Sequence, residues 1–85
     1  MKKVRKRKAP KNVIGERVRL VRTKKKLTIV DFVAILNEKG LEIDRTGVSR
    51  IENNQRNVYD YEILIIAEAL EETTEFLLHG GTMEV

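Results

Sequence analysis

The spacing of apolar residues divides the chain into five short helices. Ile14, Val18 and Val21 recur at i, i+4 and i+7 and predict a first helix over about Val13 to Lys25. Arg17, Arg19 and Lys24 to Lys26 lie off that stripe and read as a solvated face, whereas Arg22 sits at its edge. Ile29, Phe32, Val33 and Leu36 predict a second helix from Ile29 to Glu38. Thr28 precedes it and Asp31 follows three residues later, a near match to the capping box with Asp in place of Glu. Gly40 fits its stop, and Lys39 to Ile43 leads to Asp44, an N-cap candidate for a third helix over about Arg45 to Asn53. Val48 and Ile51 fall on one side of that helix; Arg45, Thr46, Ser49, Arg50 and Asn53 fall on the other. Asn54 suits a left-handed C-cap. A fourth helix runs from Tyr61 to Leu70, capped by Asp60, and the all-round apolar run Ile63 to Ala67 predicts a buried centre. The fifth follows Thr73 or Thr74, packs Phe76, Leu77 and Leu78 inward and ends at Gly80-Gly81. No strand and no internal repeat are read from the sequence.

Composition narrows the function. A chain of 85 residues makes one small domain with little room for an enzyme cleft. It has no cysteine and one histidine, His79, so no thiolate or zinc site is expected. No glycine-rich phosphate loop is present, and no histidine is placed near a serine nucleophile on a common face. Catalytic residues, cofactors and metals are therefore not expected. No apolar run approaches the roughly 20 residues that span a bilayer. The basic N-terminus also lacks the apolar core of a signal peptide. The expected setting is the cytoplasm, with no membrane partner.

The net charge of +4 conceals a strong polarity. Residues 1–57 carry all 17 Lys and Arg against 6 acids, and residues 58–85 carry 7 acids and neither Lys nor Arg. Such asymmetry points to a polyanion, most often nucleic acid, as partner of the first part. Residues 1–12 hold seven basic residues and the only proline, and their mutual repulsion predicts a flexible arm that suits phosphates or a minor groove. The chain thus divides into a basic arm at 1–12, a helical domain at 13–80 and a short tail at 81–85. Two arginines and three short polar side chains on the open face of the third helix suit base edges and phosphates in a DNA groove. Gly47 within that helix is unfavourable by about 1 kcal/mol relative to alanine; close approach of the second helix or of a DNA backbone would explain it. The chain lacks clustered exposed aromatics for stacking on single-stranded RNA.

These pieces, in this order, resemble one family. Ile14-Gly15-Glu16-Arg17-Val18-Arg19 with Val21-Arg22, then Leu27-Thr28, then Val48-Ser49-Arg50-Ile51-Glu52-Asn53 looks like the phage repressor and Cro-like helix-turn-helix family, the XRE family. Ala67-Glu68-Ala69-Leu70 followed by Phe76-Leu77-Leu78 is similar to that family's last two helices. The resemblance covers residues 14–80. It implies an all-α, five-helix repressor-like domain that binds double-stranded DNA and regulates transcription, in a bacterium or phage. It places Arg45, Thr46, Ser49 and Arg50 against base edges. It places Thr28, Ile29, Asn53, Gln55 and Arg56 on the DNA backbone, and makes Arg22 and Glu52 a partly buried salt bridge between the first and third helices. Two departures are visible. Ile29 stands where the family has a polar residue. The connection from the second helix to the third is lengthened by Glu38 to Glu42, which implies a shifted recognition helix. A homodimer is left open, with the apolar C-terminal helices and tail as its place. The alternative is an antitoxin or adaptor that uses the acidic C-terminal half, through Glu62, Glu68, Glu71, Glu72 and Glu75, to bind a basic protein.

Overall fold

The structure, a computed structural model, describes residues 9–80. Residues 1–8 of the expected arm and the tail at 81–85 lie outside the described residues. The domain is all-α, with helices α1 (Gly15–Lys24), α2 (Ile29–Glu38), α3 (Arg45–Glu52), α4 (Asp60–Leu70) and α5 (Thr74–His79). No helix among the described residues is long and apolar enough to cross a membrane. The core takes Ile14 and Val18 from the start of the bundle, Phe32 and Leu36 from α2, Val48 and Ile51 from α3, Ile66 and Leu70 from α4, and Leu77 from α5. α3 packs on both α1 and α2, and α4 lies across α1, α2 and α5. The helix-turn-helix is α2 followed by α3.

Local chemistry sets the helix ends. Thr28 Oγ1 accepts from the Asp31 amide at 3.0 Å, and Asp31 Oδ2 accepts from the Thr28 amide at 3.0 Å. That reciprocal box satisfies two donors that a helix start leaves free. Asp44 Oδ1 accepts from the Gly47 amide at 2.8 Å and starts α3. Thr73 starts α5 through the Phe76 amide. The fourth helix differs from expectation: Asp60 is its first residue, Tyr59 holds the N-cap position, and the Tyr59 amide donates to Glu62 Oε1 at 3.0 Å.

α4 is also less central than its apolar run predicts. Ile66, Ala67 and Leu70 are buried, but Leu64 is 62% exposed and Tyr61 is open beside it. A domain this small has helices enough to cover one side of α4 and no more. Leu78, expected inside, likewise reaches the surface.

Two glycines mark tight approaches. A Cβ on Gly15 would lie 2.3 Å from the Ile51 carbonyl oxygen, so α1 begins against the C-terminal end of α3 at a distance only glycine permits. At Gly47 a Cβ would meet Ile43 Cγ1 at 2.6 Å and Asp44 Oδ1 at 3.2 Å. The crowding at Gly47 therefore comes from the incoming connection and not from α2.

Candidate nucleic-acid interface

α3 is fixed at its base before its face is considered. Arg22 Nε donates to Glu52 Oε2 at 2.6 Å and Nη2 donates to Glu52 Oε1 at 3.1 Å, a two-pronged pair in which both residues are under one-tenth exposed. The remaining nitrogen, Nη1, donates to the Leu27 carbonyl at 2.7 Å, so the same guanidinium ties α3 to the turn before α2. At the other end Asn54 adopts φ of 60°, its amide donates to the Ile51 carbonyl and the Gln55 amide donates to the Arg50 carbonyl at 2.7 Å. This Schellman ending closes the last turn. The long connection before α3 is braced as well. Asn37 Nδ2 donates to the Leu41 carbonyl at 2.9 Å and to the Ile43 carbonyl at 3.1 Å, while Leu41 is buried in the core.

The face held this way is a furrow. Thr28, Ile29 and Val30 at the start of α2 form one side; Arg45, Thr46, Ser49 and Arg50 of α3 form the other, and Gln55 closes the end. Arg45, Thr46 and Arg50 are exposed and Ser49 is half-buried. Neither guanidinium has an acceptor among the described residues. The first amides of α2, on Ile29 and Val30, likewise take no acceptor there, because the capping box satisfies Thr28 and Asp31 instead. Free helix-start amides of this kind suit an anion. Val30 lies outside the apolar stripe read from the sequence and is not singled out there; in the fold it is exposed in the furrow.

Four expected positions read differently. Arg56, placed on the DNA backbone by resemblance, does not line the furrow. Its Nη1 donates to Glu62 Oε1 at 3.0 Å and to the Asn57 carbonyl at 3.0 Å, and its Nη2 donates to Glu62 Oε2 at 3.3 Å. Its fork is spent on a carboxylate that is only 4% exposed. Glu62, read from the sequence as part of an acidic surface, is thus an internal anchor for the start of α4. Burial by itself raises its pKa, but the hydrogen bonds from Arg56 and the Tyr59 amide, with the nearby positive charge, bring it below the ordinary carboxylate value. Asn53 is exposed, but its Nδ2 donates to the Ser49 carbonyl at 2.9 Å, so part of its donor capacity is used within α3. Arg17, read as solvated, donates to the Leu77 carbonyl at 3.0 Å and closes the end of α5.

Asn12, assigned by sequence to the arm, belongs to the domain. Its Nδ2 donates to the carbonyls of Ile51 at 3.1 Å and Arg56 at 2.9 Å. Its Oδ1 accepts from the amides of Ile14 and Gly15 and from Asn54 Nδ2. Nothing in the sequence marks this asparagine except its place just before a helix with no capping residue of its own.

A short helix that follows α2, is held by a buried salt bridge to α1 and carries on its open face arginines unpaired among the described residues defines a helix-turn-helix protein of the repressor type. The chain belongs to the phage repressor and Cro-like helix-turn-helix family, a class of DNA-binding transcriptional regulators. It is similar to the restriction-modification controller protein C.AhdI from Aeromonas hydrophila, known from a high-resolution crystal structure, with 33% identity and a TM-score of 0.65. The match covers 75% of this chain and 89% of that one. No family model and no curated protein sequence matches the chain.

Proposed function

We propose that the protein is a sequence-specific double-stranded DNA-binding regulator of transcription that lays α3 in the major groove. The observation that carries this reading is the furrow: Arg45, Thr46, Ser49 and Arg50 share one face with the free amides at the start of α2. In this arrangement Arg45, Thr46 and Ser49 meet base edges. Arg50 lies toward the C-terminal end of α3, beside Asn53 and Gln55, and takes phosphate. An arginine paired with guanine contributes roughly 1–3 kcal/mol of discrimination. Thr28, Ile29 and Gln55 hold the backbone; Ile29 does so through its amide, not through its side chain.

A single helix-turn-helix buries little DNA, which favours a two-fold dimer with half-sites one helical turn, about 34–36 Å, apart. The apolar hollow of Tyr61, Ile63, Leu64 and Leu78 supports α4 and α5 as the pairing surface. The likeness to C.AhdI supports genes of a restriction-modification system as the regulated class. A protein-interaction role for the acidic half has less support. Glu62 is buried against Arg56, and Glu71 and Glu68 stand 3.1 Å and 3.6 Å from Lys25 and Lys39. Selection of bound sequences from random duplex DNA tests the proposal. An enriched palindrome is the expected result, and binding with no enriched sequence would overturn it.

A further inference from the structure

We propose that Val30 is a specificity-determining residue of the DNA interface, whose side chain recognises the C5-methyl group of a pyrimidine in the major groove. This inference rests on the DNA-binding reading above and adds to it a base contact made from α2 instead of α3.

Val30 is 57% exposed, and of the large apolar side chains that stand open among the described residues it alone lines the furrow between α2 and α3. Tyr61, Leu64 and Leu78 lie in the hollow on α4 and α5, and Leu20 lies near Phe76. The placement of Val30 is rigid. It is the second residue of α2 and sits inside the capping box, whose two 3.0 Å bonds join Thr28 and Asp31 on either side of it. Ile29 before it packs against the core. A β-branched side chain in a helix has one strongly preferred rotamer, so Val30 has little rotamer freedom left to lose on contact. A helical Cβ leans toward the helix N-terminus, here the end of α2 that borders the furrow.

The opposite side of the furrow reads by hydrogen bonds, through Arg45, Thr46, Ser49 and Arg50. Val30 can neither donate nor accept from its side chain. An apolar protein segment laid on it would cover the free guanidiniums of Arg45 and Arg50 without giving them partners. Duplex DNA satisfies those guanidiniums and also supplies an apolar group. That group is the methyl on C5 of a pyrimidine, carried by thymine and by 5-methylcytosine. It stands on the side of the groove next to its own strand's backbone, where a helix start that meets phosphate brings Val30. A purine would set its N7 acceptor against Val30 with no donor, and a pyrimidine without the methyl would leave a gap.

Base-analogue scanning tests this. The DNA is a duplex recovered by selection. Each thymine of one half-site is replaced in turn by uracil, which removes only the methyl group, and each cytosine by 5-methylcytosine, which adds it. Wild-type binding should weaken about fourfold at one uracil, the effect of one buried methyl group, and this assigns the contact to thymine. A gain of the same size at one 5-methylcytosine assigns it to cytosine. Val30→Ser and Val30→Ala both remove the two methyl groups of the valine at an exposed position. Each should keep the melting temperature and the salt dependence of binding, which the phosphates set, and lose the response at that one base. A flat scan with the wild-type protein overturns the proposal. A response that persists in both variants also overturns it, because the methyl group then meets another residue. Selection that enriches no sequence is a different outcome, since it overturns the DNA-binding reading itself and the proposal with it.

Discussion

Replacing Glu52 by alanine should cost far more stability than an ordinary salt bridge on a helical surface. Exposed ion pairs contribute about 0–1 kcal/mol. Here Arg22 and Glu52 are 8% and 7% exposed, with two bonds of 2.6 and 3.1 Å between them. Glu52→Ala leaves the guanidinium enclosed with only the Leu27 carbonyl as partner, and uncompensated buried charges of this kind cost about 3–5 kcal/mol. Native domains are stable by about 5–15 kcal/mol, with small ones toward the lower end. At 4–8 °C per kcal/mol, the melting temperature should fall by roughly 12–40 °C. Arg22→Met should cost a similar amount. The double variant, Arg22→Met with Glu52→Leu, buries no charge and loses mainly the bond to Leu27, so it should cost only about 1 kcal/mol. Urea unfolding of the wild type, Arg22→Met, Glu52→Leu and the double variant closes the cycle and gives the coupling directly. Single variants that each lose less than 1 kcal/mol, or losses that simply add in the double variant, would refute the argument that α3 is held by a buried pair.

The same logic separates structural arginines from those proposed to face DNA. Arg45→Ala and Arg50→Ala should each weaken binding to the selected site at least tenfold while the melting temperature stays within a few degrees; a normal affinity in both would remove α3 from the interface. Arg56→Ala should lower stability first, because Glu62 then stays buried without its fork. The folded Glu62 carboxyl titrates below its ordinary value of 4.5, so the stabilisation it provides is present above that pH and is lost as pH falls through the folded value. Acid unfolding should therefore show a component that vanishes in Arg56→Gln, and identical acid curves for the two proteins would contradict this. Gly15→Ala drives a methyl group to 2.3 Å from the Ile51 carbonyl and should cost about 1–3 kcal/mol, whereas alanine in an open helical position would stabilise. Leu64→Arg should leave the fold intact and, in equilibrium sedimentation, abolish any dimer formed through α4 and α5; a dimer that persists would place the pairing surface elsewhere.

The helices were legible because their signals are local. Thr28 and Asp31 sit three residues apart, and the capping box forms between them. Asp44 caps α3 and Asn54 ends it for the same reason. The Arg22–Glu52 tie was visible only through resemblance, since 30 residues separate its ends. What stayed hidden depends on which neighbour a side chain finds. The run Ile63 to Ala67 has no periodicity to show which side is open, so the exposure of Leu64 is set by the number of helices available to cover it. Arg56 and Glu62 are six residues apart across a loop, where no helical spacing predicts a meeting. Asn12 lies in a charged segment whose composition reads as unstructured, and its partners at Ile51 and Arg56 are about forty positions away.

Sorting the cations by what they touch makes the case for α3 stronger than the helix alone does. A basic half-chain of 57 residues offers many positive charges, and a basic surface by itself defines no interface. The fold removes some of them from consideration. Arg17 closes α5, Arg22 holds Glu52, and Arg56 holds Glu62. Lys25 and Lys39 stand beside Glu71 and Glu68. Arg19 is unpaired among the described residues, but it stands on the exposed side of α1 and lines no furrow. Arg45 and Arg50 are the arginines that combine a free guanidinium with short polar neighbours and unsatisfied helix-start amides on one concave face. An unpaired guanidinium in such a place retains its full capacity for a bidentate partner. The internal pairs therefore do more than stabilise: by engaging Arg17, Arg22 and Arg56 they leave Arg45 and Arg50, among the described residues, as the free guanidiniums of the furrow proposed to meet DNA.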